Sequence, residues 1–182
     1  NDVNGGSFRT YVGAGNNLHP RYHRRHSLAL GNSVDNLLRL EERYGYATEA
    51  PYLAFAEKIK DIVGRVKTCI VGESQKGKKI FAYGASTKGN TFLQYADLDS
   101  RYIQKAVERS PDKWGKKTVG TLIPIISEEQ AREEHPDYML VLIWQFLDTV
   151  LSREHEYLEK GGRFIVALPE PTLISKEGQA KL

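Results

Sequence analysis

Apolar positions change rhythm along this chain. A Gly-Gly turn at Gly5 and Gly6 leads into a short strand pattern over residues 7–12, followed by a polar, basic loop. From Ser33, a candidate N-cap, Val34, Leu37, Leu38 and Tyr44 recur on one helical face. A longer helical pattern opens at Pro51, a residue suited to the first helical turn. Tyr52, Phe55, Ala56, Ile59, Ile62, Val63, Val66 and Ile70 hold the spacing until Gly72 and the polar run 73–79 end it. From Lys79 onward, short apolar runs alternate with helical stretches. Runs at 80–83, 103–107, 139–144 and 164–168, with a weaker one near 122–126, predict strands, and 91–96, 128–134 and 147–160 predict helices. The runs are apolar throughout rather than alternating, as expected where helices cover both faces of a parallel sheet.

The expected fold is α/β: a Rossmann-like, mostly parallel sheet with helices on both faces, preceded by a short strand and N-terminal helices. Residues 1–76 are expected to supply the strand, the basic loop and a helical segment packed on the core. Residues 77–182 are expected to form the Rossmann-like domain.

Composition narrows this only a little. The chain has 182 residues, 40% of them hydrophobic and 27% charged, enough to bury a real core. A net charge of +3 does not call for nucleic acid, while leaving room for a local anion site. One cysteine, Cys69, excludes an internal disulfide framework and a Cys-rich zinc site. No run approaches 18 apolar residues and no signal-peptide pattern opens the chain, so no membrane partner is expected and the cytoplasm is the default setting. The chain starts at Asn1 with residues that read like the middle of a domain, which suggests a fragment of a longer protein.

Chemistry concentrates first in the turn GASTKG, residues 84–89, between the strand at 80–83 and the helix that follows. A dinucleotide fingerprint would need a glycine where Ser86 stands. A phosphate loop would need Lys-Ser/Thr after Gly89, but Asn90-Thr91 follows. A nucleophile elbow would need glycine in place of Lys88, and nothing ties His135 or His155 to Ser86 as a base. Two readings stay open. One is anion binding by the amides of residues 86–90 at a helix amino end, helped by Lys88. The other is an ordinary connecting turn. Glu108, 24 residues beyond Gly84, stands where an acidic residue can meet a ribose hydroxyl. The loop after it carries Arg109, Lys113, Lys116, Lys117 and Trp114, which suits a base or sugar plus phosphates, or is simply solvated. His19, His23 and His26 lack an acidic or cysteine partner and sit among three arginines, so no metal site is assigned to them.

Five ordered stretches carry a family resemblance: GGSFRTYV (5–12), YGASTKGNTFLQYADLD (83–99), ERSPDKWGKKTVGTLIPI (108–125), PDYMLVLIWQF (136–146) and GGRFIVALP (161–169). Together they resemble the C-terminal domain of S-adenosylmethionine (SAM)-dependent C-methyltransferases, the kind that includes deoxysugar C3-methyltransferases. The resemblance runs from about Gly5 to Pro169. It implies a parent enzyme with a zinc-binding region, a central domain that binds SAM, and this Rossmann-like domain, which binds no SAM and helps hold a nucleotide-sugar. The family's catalytic residues precede the GGS strand, so no catalytic residue is carried over. The substrate contacts it implies are Ser7 and Arg9; Ser86, Lys88, Gly89 and Asn90; and Glu108, Arg109, Lys113 and Trp114. Where the family often has Trp-His or Trp-Asn before Phe, this chain has Trp144-Gln145-Phe146, and no acid/base role is carried over to position 145. The expected function is thus a substrate-anchoring domain of a C-methyltransferase, inactive alone, whose partners are a nucleotide-sugar and the SAM-binding domain of the same protein. The alternatives are a non-catalytic docking or oligomerisation module and, less favoured, an NAD-dependent oxidoreductase.

Overall fold

A computed structural model describes residues 34–182 of the chain. The chain divides into two units, residues 1–58 and 59–182. In the described part of the first unit, helix α1 covers 34–43 and a turn leads to the start of helix α2, Ala50–Gln75. Tyr44 and Tyr46 stack at 5.7 Å between ring centres, and the Tyr52 hydroxyl donates to the Tyr46 carbonyl. The apolar side chains of α1 read from the sequence as a packing face, Val34, Leu37 and Leu38, are exposed.

The second unit is a seven-stranded sheet in the order β3-β2-β1-β4-β5-β6-β7. The strands are β1 Ile80–Tyr83, β2 Lys105–Val107, β3 Ile125–Ile126, β4 Tyr138–Val141, β5 Arg163–Val166, β6 Thr172–Ser175 and β7 Gly178–Lys181. The first five pair in parallel, and β6 and β7 add an antiparallel hairpin at one edge. Register is level across the centre: Tyr83 stands opposite both Val107 and Val141, and Val141 opposite Val166.

Alternate residues of the central strands feed two separate cores, which is why the runs are apolar without interruption. Ile80, Ala82, Leu140 and Ile165 join Val63, Val66 and Ile70 of α2 and Phe92 and Leu93 of helix α3, Thr87–Tyr95. Phe81, Met139, Val141, Phe164 and Val166 face the other way. There they meet Ala131 of α4 (Glu128–Glu134), Val150 of α5 (Leu147–Arg153) and Tyr157 of α6 (His155–Glu159). Each such large apolar side chain contributes about 1.5–3 kcal/mol on burial.

The expected α/β fold is present, with differences at element ends. Helix α3 starts at Thr87 rather than 91, because Ser86 caps it. Strand β4 stops at Val141, and residues 144–146 turn in a 3₁₀ helix. The helix read over 147–160 breaks at Glu154, whose buried side chain is held from another element. Helix α2 continues through Gly72 to Gln75.

Candidate functional site

The strand order turns around between β1 and β4. The chain leaves β1 towards β2 on one side and β4 lies on the other. In open α/β sheets, ligands occupy the crevice beyond the carboxyl ends of the strands at such a reversal. The residues found there are those of the turn 84–90. Gly84 takes φ +94°, and a Cβ on it would lie 2.6 Å from Ile143 Cγ2 just beyond β4. Its amide still donates to the Val107 carbonyl, continuing the ladder to β2. Ser86 Oγ accepts from the Gly89 amide at 3.0 Å, an N-cap that fixes the start of α3. Gly89 is buried, and a Cβ there would fall 2.7 Å from Leu142 Cβ. Both glycines therefore let the turn and the first turn of α3 press against the end of β4. Thr87 and Lys88 remain exposed at the helix amino end.

The loop after β2 is braced against this turn. Glu108 accepts hydrogen bonds from the amides of Arg109 (2.9 Å) and Ser110 (3.1 Å) and from Lys113 Nζ (2.9 Å). Lys113 Nζ also donates to the Ala85 carbonyl at 3.0 Å, joining the two loops. Burial pushes the Glu108 carboxyl up, but hydrogen bonds from Lys113 and the two amides outweigh it and leave it below its ordinary value. Trp114 Nε1 donates to the Glu108 carbonyl at 2.8 Å while the residue stays 40% exposed, which fixes the indole and leaves a face to solvent. Arg109, five residues earlier on the same loop, is exposed.

Of the residues singled out in the sequence, Ser86, Lys88, Gly89, Asn90, Glu108, Arg109, Lys113 and Trp114 thus stand at the carboxyl ends of the adjacent strands β1 and β2. Ser7 and Arg9, and the histidines 19, 23 and 26, lie outside the described residues. Gln145, in the 3₁₀ turn beyond β4, was read in the sequence only as a departure from a pattern, yet it stands at the same rim. Its signal was a polar side chain set between Trp144 and Phe146.

Residues 2–169 match the model of the C-methyltransferase C-terminal domain. The chain belongs to that family. It is also 37% identical over 145 residues to the C-methyltransferase NovU of Streptomyces niveus, a match covering 80% of this chain. The chain spans about a third, 34%, of the length of that relative. No helix among the described residues is long and apolar enough to cross a membrane.

This C-methyltransferase C-terminal domain carries a second polar cluster on the other face of the sheet. The Tyr83 hydroxyl lies 2.8 Å from Glu128 Oε1 and 3.0 Å from Glu154 Oε1, sharing one proton between two buried carboxylates. Arg132 grips Glu154 through two nitrogens, at 2.6 and 3.0 Å, and Arg153 binds Glu128. Burial first, then the Glu154 charge and the bond to Glu128, raises the Tyr83 phenol well above its ordinary range. A concavity of about 370 Å³ opens beside this cluster, lined by Arg132, His135, Arg153, Glu154, His155 and Tyr157. Its arginines and Glu154 are committed to the network, so the cluster reads as a brace between α4 and the α5–α6 junction. His135 ends α4 just before β4 begins, at the amino end of the sheet and opposite Ser86. It is not placed to act as a base on that serine.

Proposed function

We propose that this chain anchors the methyl acceptor of a C-methyltransferase, a nucleotide-linked sugar, in the crevice beyond β1, β2 and β4. The observation that carries this reading is the pairing of a capped helix amino end bearing Lys88 with the pinned, part-exposed Trp114 on the neighbouring loop. The helix amino end and Lys88 suit phosphate oxygens, and the indole face suits a base or sugar ring. Arg109 adds a second exposed cation on the loop that carries Trp114. Binding here orients the acceptor; proton abstraction and methyl transfer fall to residues of the longer protein.

The residues present do not fit the methyl donor. SAM, like a dinucleotide, would need an acidic group at the end of β2 open to its ribose hydroxyls, and Glu108 is engaged by three donors within its own loop. The glycines of the turn pack against Ile143 and Leu142 rather than lining a cradle. The donor is therefore assigned to another part of the parent enzyme, and the dinucleotide alternative is set aside on the same grounds.

Calorimetric titration tests this. Thymidine diphosphate (dTDP) and dTDP-glucose are expected to bind saturably, Lys88→Ala to weaken both about three- to tenfold, and SAM to give no heat at millimolar concentration. Unchanged affinity in Lys88→Ala would move the anion site elsewhere, and SAM binding would overturn the division of labour. The exposed Leu53 and Phe55 favour a second reading, a docking module. Absence of any saturable nucleotide binding would select it.

A further inference from the structure

Among the described residues, two buried side-chain polar atoms lack a hydrogen-bond partner, Asn90 Oδ1 and Gln145 Oε1. An unpaired buried acceptor costs about 1–3 kcal/mol, so native chains retain few without a reason. Both lie at the reversal of strand order, Asn90 in the first turns of α3 after β1 and Gln145 in the turn after β4. The elements that carry them are packed together, since Gly89, next to Asn90, meets Leu142, and Gly84 meets Ile143. Asparagine is also a poor residue for the interior of a nine-residue helix, and here its side-chain oxygen gains no hydrogen bond.

Both atoms are carbonyl oxygens and accept hydrogen bonds. The doubly esterified diphosphate of a nucleotide-sugar has no proton to give them at neutral pH, whereas a sugar hydroxyl does. We propose that Asn90 and Gln145 form an acceptor pair that reads hydroxyl groups of the bound sugar, separate from the phosphate-holding end at Lys88 and the indole of Trp114. This rests on the nucleotide-sugar reading above and adds to it the polarity of the ligand across the rim. The strand order agrees. Trp114 follows β2, Gln145 follows β4, and β1, whose turn leads to Lys88 and Asn90, lies between, so the strand ends that carry Trp114 and Gln145 are about 10 Å apart at ordinary strand spacing. A nucleoside against the indole would leave the phosphates over the turn of β1 and direct the sugar towards β4.

The test compares dTDP-glucose with dTDP on wild type, Asn90→Ala, Gln145→Ala and Gln145→Glu. Each alanine variant is expected to lose about tenfold in affinity for dTDP-glucose and nothing for dTDP, and Gln145→Glu, which keeps acceptor oxygens, to hold most of the difference. The ligand-free alanine variants should melt at the same temperature as wild type or higher, because they remove an unsatisfied buried atom. Lower melting temperatures with dTDP-glucose affinity intact would show the amides to be structural and overturn the proposal. So would an equal loss for both ligands. Failure of wild type to bind either ligand would overturn the underlying nucleotide-sugar reading as well, whereas wild-type binding that the alanine variants do not alter would overturn the acceptor pair alone.

Discussion

Glu108 shows how one side chain can leave a role that its position suggests. An acid at the end of the second strand is placed for a ribose, yet here it closes its own loop by accepting from two amides and Lys113. The sign of its contribution to stability follows from its native pKa, which lies below the ordinary value of 4.5. Between these two values the unfolded chain binds the proton more readily than the folded one. The stabilisation is thus complete above about pH 4.5 and is lost as pH falls through the depressed native value. Thermal melts of Glu108→Gln are expected to lie below wild type at pH 7, by about 1–2 kcal/mol, and to converge with it as the pH falls below the depressed native value. A constant gap across that range would show that the carboxylate charge is not what matters. Lys113 shares in this, since its ammonium holds both Glu108 and the Ala85 carbonyl.

At the scale of elements, periodicity revealed the central strands and most helices, because each strand face needs its own core and so stays apolar. The sheet's parallel order followed from the alternation of strand and helix. What the pattern did not reveal depended on contacts distant in sequence. The helix at 147–160 breaks at Glu154 because Arg132, 22 residues earlier, holds that carboxylate. The β6–β7 hairpin is weakly patterned, with all four residues of β7 exposed, so no run of apolar residues announces it. Most of the rim residues were visible from the motif spacing, but the commitment of Glu108 and Lys113 to each other was not. Two glycines test how far packing decides. In α2, Gly64 has nothing within 4 Å of an added Cβ, so Gly64→Ala should stabilise by about 0.5–1 kcal/mol through helix propensity. In α3, the same propensity gain at Gly89 is opposed by contact with Leu142, and Gly89→Ala should destabilise by about 1–3 kcal/mol. Denaturant unfolding of the two variants measures both signs.

Across the second unit, the two faces of the sheet are held differently. The face towards α2 and α3 is mostly apolar, its Tyr138 hydroxyl bonded to Glu73 and Arg163, whereas the other includes the larger network of Tyr83, Glu128, Glu154, Arg132 and Arg153. Breaking the network at one point should cost more than dismantling it. Arg132→Met strands the buried Glu154 and is expected to lose about 3 kcal/mol in urea unfolding, while Arg132→Met with Glu154→Leu should recover much of that. Equal losses in both would assign the effect to packing of the aliphatic stem rather than to charge.

The level register of Val107, Tyr83, Val141 and Val166 means that four strands release their loops along one line. The inter-strand ladder reaches one residue past those ends, with the amides of Gly84, Glu108 and Leu142 donating to the carbonyls of Val107, Ile126 and Tyr83. Residues can be exchanged or inserted in one loop without shifting the pairing that supports the others. Such a rim is a frame on which acceptor preference can drift during evolution while the fold beneath it remains unchanged.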